Sequence, residues 1–311
     1  NADAIERAVV DGWNVVVKKG EFRPGDQCVY FEIDSMLPVE DARFGFLAPR
    51  GVTKGPDDQP MHRLRTAKLR GVVSQGLALS ARDFPELDSR EVSEDLTAAL
   101  GIVKYEPTLP GGDMIGPFPT HLAAKTDAER VQNLTLEWPK LRPLAWTATE
   151  KIDGTSMTVA WDNVTRELIV AGRNWRIAEG DNLYWDAVER YALDTLVKDY
   201  ASQGRHGAAL QVEVYGSGVQ GNPLALPERR VAVFTLWVDR QRVAVPTTFV
   251  PYRVPILDIP LPAQVAEAVV AADGLKSTLN PNRLAEGIVW HAPDQEPIKA
   301  VNNKYLLKHD G

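Results

Sequence analysis

The run LAWTATEKIDGTSMTVAW, residues 144–161, constrains the fold more than any other stretch. Leu144, Trp146 and Ala148 fall at alternate positions, and Met157, Val159 and Trp161 do the same. A period of two is the signature of a strand with one face in a core. Between the two runs, Asp153-Gly154 is turn chemistry. Apolar runs of this kind recur at Val15–Val17 and Cys28–Ile33, on either side of Pro24-Gly25-Asp26, and again at 167–172, ALQVEVYG, RVAVFTLWV and EGIVWHA. Helical spacing is confined to three segments. YWDAVERYALDTLVKDYA places Trp185, Val188, Ala192 and Leu196 on one face with Tyr191 beside them. LPAQVAEAVVAAD and the charged KTDAERVQNLTLEW are the other two. The pattern predicts an α+β chain whose first third is all strand, as in a small barrel or sandwich. The Gly- and Pro-rich segment 108–121 reads as a linker, giving one domain over 1–115 and another over 116–311.

A chain of 311 residues accommodates two such domains. No apolar run reaches the length a bilayer requires. The first residues lack the basic and apolar regions of a signal peptide, although there is no initial methionine and a trimmed start is expected. The lone Cys28 excludes an intramolecular disulfide and a Cys-rich zinc cluster; within QCVYFEID it reads as a buried thiol. A cytoplasmic protein is the expectation. The net charge of −7 excludes a broadly basic nucleic-acid binder but leaves room for local basic surfaces.

Lys151-Ile152-Asp153-Gly154 has three informative positions, and composition alone would supply such a match in roughly one chain in ten. By itself it is a hairpin carrying a solvated lysine. Residues further along the chain change the weight: Glu213 near a strand end, Phe234 inside an apolar strand, Glu286 before Gly287-Ile288-Val289, then Lys299, in that order. This succession resembles the covalent nucleotidyltransferase superfamily of polynucleotide ligases and capping enzymes. The likeness is closest to the template-directed RNA ligases of the bacterial and amoeboflagellate repair type. NADAIERAVVDGWNVVVKKGEFRPGDQCVYFEIDSMLP, LRTAKLRGVVSQGL and KTDAERVQN carry that second likeness, so it spans nearly the whole chain.

The resemblance implies an N-terminal OB-like β-barrel, followed by a nucleotidyltransferase (ATP-grasp-like ligase) domain of antiparallel sheets with flanking helices. It implies ATP and Mg²⁺ or Mn²⁺ as cofactors, and Lys151 as the nucleophile that becomes linked to AMP. Lys299 would contact the α-phosphate, while Asp153, Glu213 and Glu286 would orient the metal directly or through water. Phe234 would stack on adenine, and Arg173 in GRN would hold ribose or phosphate. Arg130, Gln132 and Glu150 would line the nucleotide pocket, together with Glu213 and Glu286. A lysine nucleophile must be neutral, so a pKa depressed by burial and nearby cations is expected.

Two departures stand out. Ser156 occupies a position where many ligases and capping enzymes have arginine, which favours the RNA-ligase branch. The usual Lys-x-Lys of motif V reads Lys299-Ala300-Val301, leaving Lys304 as the candidate second cation. Only Asn302–Gly311 remain beyond it, so the C-terminal OB domain of DNA ligases and capping enzymes is not expected. In the first domain, Lys18, Lys19 and Arg23, with Arg63, Arg65, Lys68 and Arg70, are candidates for phosphate contacts. As a strand, 63–65 would present Arg63 and Arg65 on one face. The expected partner is RNA, as a nicked duplex or an RNA/DNA hybrid, bound by a monomer with no membrane contact. A GTP-dependent capping-type guanylyltransferase and a non-catalytic RNA- or tRNA-binding OB protein are the alternatives.

Overall fold

The computed structural model describes residues 4–87, 89–105, 113–246, 249 and 252–309. The first part of the expected linker falls outside these residues. The chain divides into two compact units, Asn1–Pro107 with Leu306–Gly311, and Thr108–Tyr305.

The N-terminal unit is built from short antiparallel strands. Ile5–Val10 pairs with Trp13–Lys18, Cys28–Phe31 with Leu77–Ser80, and Ala67–Leu69 with Val72–Ser74. A four-stranded sheet joins Val103–Lys104, Ser35–Pro38, Pro60–Arg63 and Thr53–Lys54. Among the described residues, the strands thus lie in several small sheets and do not close into one continuous barrel ladder. The alternation expected from sequence is realised: Trp13, Val15 and Val17 are buried while their neighbours are half-exposed. Val29, Phe31, Leu37, Phe44, Leu47, Leu64 and Phe84 make the main core. Cys28 is half-buried, not buried, because Val29 and Phe31 take the inward positions of its strand.

The second unit holds two sheets. Seven antiparallel strands run in the spatial order Met114–Pro117, Trp175–Ile177, Glu167–Ala171, Thr155–Asp162, Gly207–Gly216, Arg229–Val238, Gln241–Val243. Five more run in the order Glu129–Arg130, Ile298–Val301, Gly287–His291, Thr147–Lys151, Ile256–Leu257. Helices Leu183–Arg190 and Leu193–Ala201 cover the larger sheet, burying Tyr184, Val188, Leu193 and Val197 against Met157, Val159, Leu210 and Val212. Helix Val265–Ala272 covers the smaller sheet, with Val265, Ala268 and Ala272 against Ile288, Trp290 and Ile298.

Two helical expectations are corrected. The segment 184–201 is not one helix: it breaks at Ala192, whose φ of 49° is left-handed. The break lets Leu193 and Val197 face the sheet that Tyr184 and Val188 already cover, and Leu196 is only partly buried. KTDAERVQNLTLEW is not a helix either. Glu129–Arg130 pairs in parallel with Ile298–Lys299, and a single 3-10 turn, Val131–Leu134, comes next. The side chains that would start a helix there are used elsewhere: Thr126 bonds Ser156, and Asp127 pairs with Arg173.

Candidate active site

The connection at Asp153-Gly154 joins the two sheets of this unit and is not the hairpin its sequence suggests, because the flanking strands do not pair with each other. Thr147–Lys151 belongs to the five-stranded sheet and Thr155–Asp162 to the seven-stranded one. Lys151 is therefore the last residue of its strand, opposite Gly287 of the neighbouring strand. That pairing brings Glu286 alongside, and Lys151 Nζ lies 2.6 Å from Glu286 Oε2. Beyond Gly154, Ser156 pairs with Glu213 of the strand Gly207–Gly216. Both motif glycines are required by close approach. A Cβ on Gly154 would lie 2.3 Å from the Val214 carbonyl oxygen, and one on Gly287 would lie 2.1 Å from that of Ala300.

The charges here are strongly coupled. Desolvation pulls the Lys151 ammonium down, but the surrounding Glu286, Glu213 and Asp153 carboxylates outweigh it, and the net shift is upward. The depressed lysine expected from sequence is not found in the ligand-free protein, because its neighbours are acids and not cations. Burial, helped by Glu286 and Asp153, pushes Glu213 up to about 8 against the pull of Lys151 and Arg173. Asp153 Oδ2 accepts a hydrogen bond of 2.5 Å from the buried Tyr305 hydroxyl.

The remaining candidates are engaged in different ways. Lys299 sits opposite Val289, and Arg130 lies beside it in the parallel pair. Arg173 is ion-paired with Asp127. Phe234 is partly buried and packs on the cluster that contains Ile152, the residue after Lys151. Gln132 is buried. Glu150 turns into the protein: it accepts from Ser277 Oγ at 2.5 Å, Thr278 N at 2.8 Å and Thr278 Oγ1 at 2.5 Å. The Lys304 ammonium lies beside Gly274. Sequence reasoning missed Asp127, Ser277, Thr278, Asn302 and Tyr305. The last two carried one signal, an Asn placed to cap the helix Asn303–His309.

Among the described residues, no group of three or more His, Cys, Asp or Glu side chains is gathered tightly enough to hold a metal ion. Asp153, Glu213 and Glu286 are thus not a ready-made cage. They do fit a hydrated divalent cation: they are hard oxygen donors, and Glu213, pushed up mainly by burial and also by Glu286 and Asp153, stands where a cation would offset carboxylate charge. Mg²⁺ and Mn²⁺ sites of this type retain several waters between metal and carboxylate.

In the N-terminal unit, Lys18, Lys19, Arg23, Arg65, Lys68 and Arg70 are exposed. Arg63 is engaged: its guanidinium is 2.6 Å from Asp34 and 3.9 Å from the centre of the Tyr105 ring. The strand ends at Arg63, so Arg65 does not share its face. No helix among the described residues is long and apolar enough to cross a membrane.

An OB-fold domain model matches residues 1–81, and an RNA ligase model matches residues 144–308. Among curated proteins there is no significant match. Among solved structures, Naegleria gruberi RNA ligase with pyrophosphate is similar at 37% identity and a TM-score of 0.87, covering 100% of this chain and 94% of that one. A lysine-to-alanine variant of the same ligase with ATP and Mn is similar at 36% identity and a TM-score of 0.87, covering 100% and 95%. A glutamate-to-alanine variant with AMP and Mn matches equally well, at 36% identity and a TM-score of 0.87, over 100% and 95%. The order Lys151, Glu213, Phe234, Glu286, Lys299, the two-sheet frame around it and these matches lead to one conclusion: the chain belongs to the RNA ligase family.

Proposed function

We propose that this protein is an ATP-dependent RNA ligase that seals 3′-OH/5′-phosphate nicks in duplex nucleic acid, RNA or an RNA/DNA hybrid. It acts as a cytoplasmic monomer. The observation that carries the reading is Lys151 at a strand end, 2.6 Å from Glu286 and within the field of Glu213 and Asp153. Lys151 Nζ attacks the α-phosphorus of ATP, and the bond to the pyrophosphate oxygen breaks. The AMP then passes to an RNA 5′-phosphate, and a 3′-hydroxyl displaces it.

Each step moves a charged phosphoryl group, so the chain must position reactants and neutralise charge. Glu286 holds Nζ in place, and the ammonium proton must leave before attack. Lys299 and Arg130, side by side in parallel strands, supply positive charge for the α-phosphate. Arg173, released from Asp127, serves the ribose or phosphates. Phe234, packed near Ile152, offers an aromatic face for adenine. Asp153, Glu213 and Glu286 would hold a divalent ion through water, which when bound lowers the cost of charge on the transferring phosphate.

The test is incubation with α-labelled ATP or GTP and Mg²⁺, followed by denaturation. Label from ATP that stays on wild type and is absent from Lys151→Ala is the expected result. Equal labelling of the variant would remove the nucleophile. Labelling by GTP alone would make the protein a capping-type guanylyltransferase, and no labelling with RNA binding intact would leave a non-catalytic RNA-binding module.

A further inference from the structure

We propose that Tyr305 is a positioning residue for adenylyl transfer: its buried hydroxyl sets the Asp153 carboxylate, and Asn302 registers Tyr305 against Glu286. This role rests on the ligase reading above. Tyr305 is 4% exposed, and its hydroxyl reaches Asp153 Oδ2 at 2.5 Å. It lies in the first turn of the helix Asn303–His309. Asn302, fully buried just before that helix, ties the helix start to Ala285 and Glu286. Its Oδ1 accepts from Lys304 N at 3.0 Å, Tyr305 N at 3.2 Å and Gly274 N at 3.3 Å. Its Nδ2 donates to Ala285 O at 3.1 Å, and its backbone N–H donates to Glu286 O at 2.8 Å. Asp273 Oδ1 adds a bond of 2.7 Å from Asn303 N.

Asp153 and Glu286, two of the acids around Lys151, are thereby referenced to each other through Asn302–Tyr305. The physical need is plain. Asp153 sits in the short connection between strands Thr147–Lys151 and Thr155–Asp162, outside either ladder, and the neighbouring Glu213 carboxylate repels it. A phenol donating to a carboxylate is a charge-assisted bond of the strong kind. Holding one oxygen sets the plane of the carboxylate, and hence where its charge meets the incoming phosphate and ion. Phenylalanine fits the same space without the hydroxyl, so the bond can be deleted without emptying the site.

The experiment measures single-turnover formation of the AMP adduct in wild type, Tyr305→Phe, Asp153→Asn and the double variant, across ATP and Mn²⁺ concentrations. Tyr305→Phe is expected to lower the maximal rate by about tenfold to a hundredfold, the scale of an ångström-level misplacement. Half-saturation by ATP should change less than about twofold. In the Asp153→Asn background the same change should cost nothing further. A readout independent of activity is equilibrium Mn²⁺ binding with a non-hydrolysable ATP analogue present, which Tyr305→Phe should weaken and the double variant should weaken no further than Asp153→Asn does. An unchanged adduct rate, or losses that multiply in the double variant, would overturn the proposal while leaving the ligase intact. A wild type that takes no label would overturn the ligase reading, and this role with it.

Discussion

Lys151 feels opposing influences that only its neighbours reveal. Burial favours the neutral amine, while Glu286, Glu213 and Asp153 favour the ammonium and prevail. The rate of adduct formation is therefore expected to rise with pH through neutrality, where a lysine in a cationic pocket would already be saturated; a pH–rate profile of single-turnover labelling checks it. Glu213 carries a second pH signature. Its carboxyl sits at about 8 against an ordinary value of 4.5. Between those values the unfolded chain releases a proton that the folded protein keeps, so ligand-free stability should fall as pH rises through this window and level off above it. Glu213→Gln should flatten that slope in denaturation series taken from about pH 5 to 9. The order of the acids along the chain carries the family resemblance, although Glu213 lies within strand Gly207–Gly216 and Asp153 and Glu286 lie just outside strands. Tyr305 was not legible, because nothing near Asp153 in sequence announces a phenol from the far end of the chain.

At the scale of elements, period-two alternation marked strands such as Trp13–Lys18, which bury one face, while the long strands Gly207–Gly216 and Arg229–Val238 stood out as apolar runs because both their faces are largely buried. Helical spacing was less faithful. A single amphipathic pattern over 184–201 hides a break, because the two halves present their apolar faces to the same sheet only after a left-handed residue at Ala192. Ala192 is exposed, so Ala192→Gly relieves a backbone cost without losing packing. The expected gain is about 1 kcal/mol in urea unfolding, the lower end of the left-handed penalty. The neighbouring strands Thr147–Lys151 and Gly287–His291 carry a buried polar contact, Thr149 Oγ1 to His291 Nε2 at 3.1 Å. Burial, with Arg242 and Arg253 nearby, holds His291 down at about 4. Its folded pKa lies below the unfolded value of 6.5, so it stays neutral and costs stability as pH falls from 6.5 towards 4. His291→Gln should reduce that acid-side loss by up to about 3 kcal/mol, the size of the full shift; urea unfolding at either end of that window checks it.

At the scale of the whole molecule, the chain divides into two compact units with different surfaces. The N-terminal unit presents Lys18, Lys19, Arg65, Lys68 and Arg70 to solvent on a chain of net charge −7. Exposed cations of this kind bind phosphate, when they do, through counterion release. Changing Lys18 and Lys19 together to glutamate should weaken duplex binding and flatten its dependence on log salt by roughly one unit for each phosphate no longer neutralised. AMP labelling of Lys151 should remain at the wild-type rate. Arg63 is the residue to leave out of that set, since Asp34 and Tyr105 already use it.

By itself the sequence determined the strand-rich α+β class and the RNA ligase resemblance, which rests on the order Lys151, Glu213, Phe234, Glu286 and Lys299. These arise from local periodicity and from residue types that the chemistry demands in order. Tertiary structure alone decided the rest: that Lys151 is acid-lined and held protonated, that Glu150 is tied down by Ser277 and Thr278, that KTDAERV becomes a strand edge, and that Tyr305 reaches Asp153. Each of these depends on contacts between residues far apart in the chain. Burial, charge and hydrogen bonding at such contacts are set by the fold as a whole, and no local pattern encodes them.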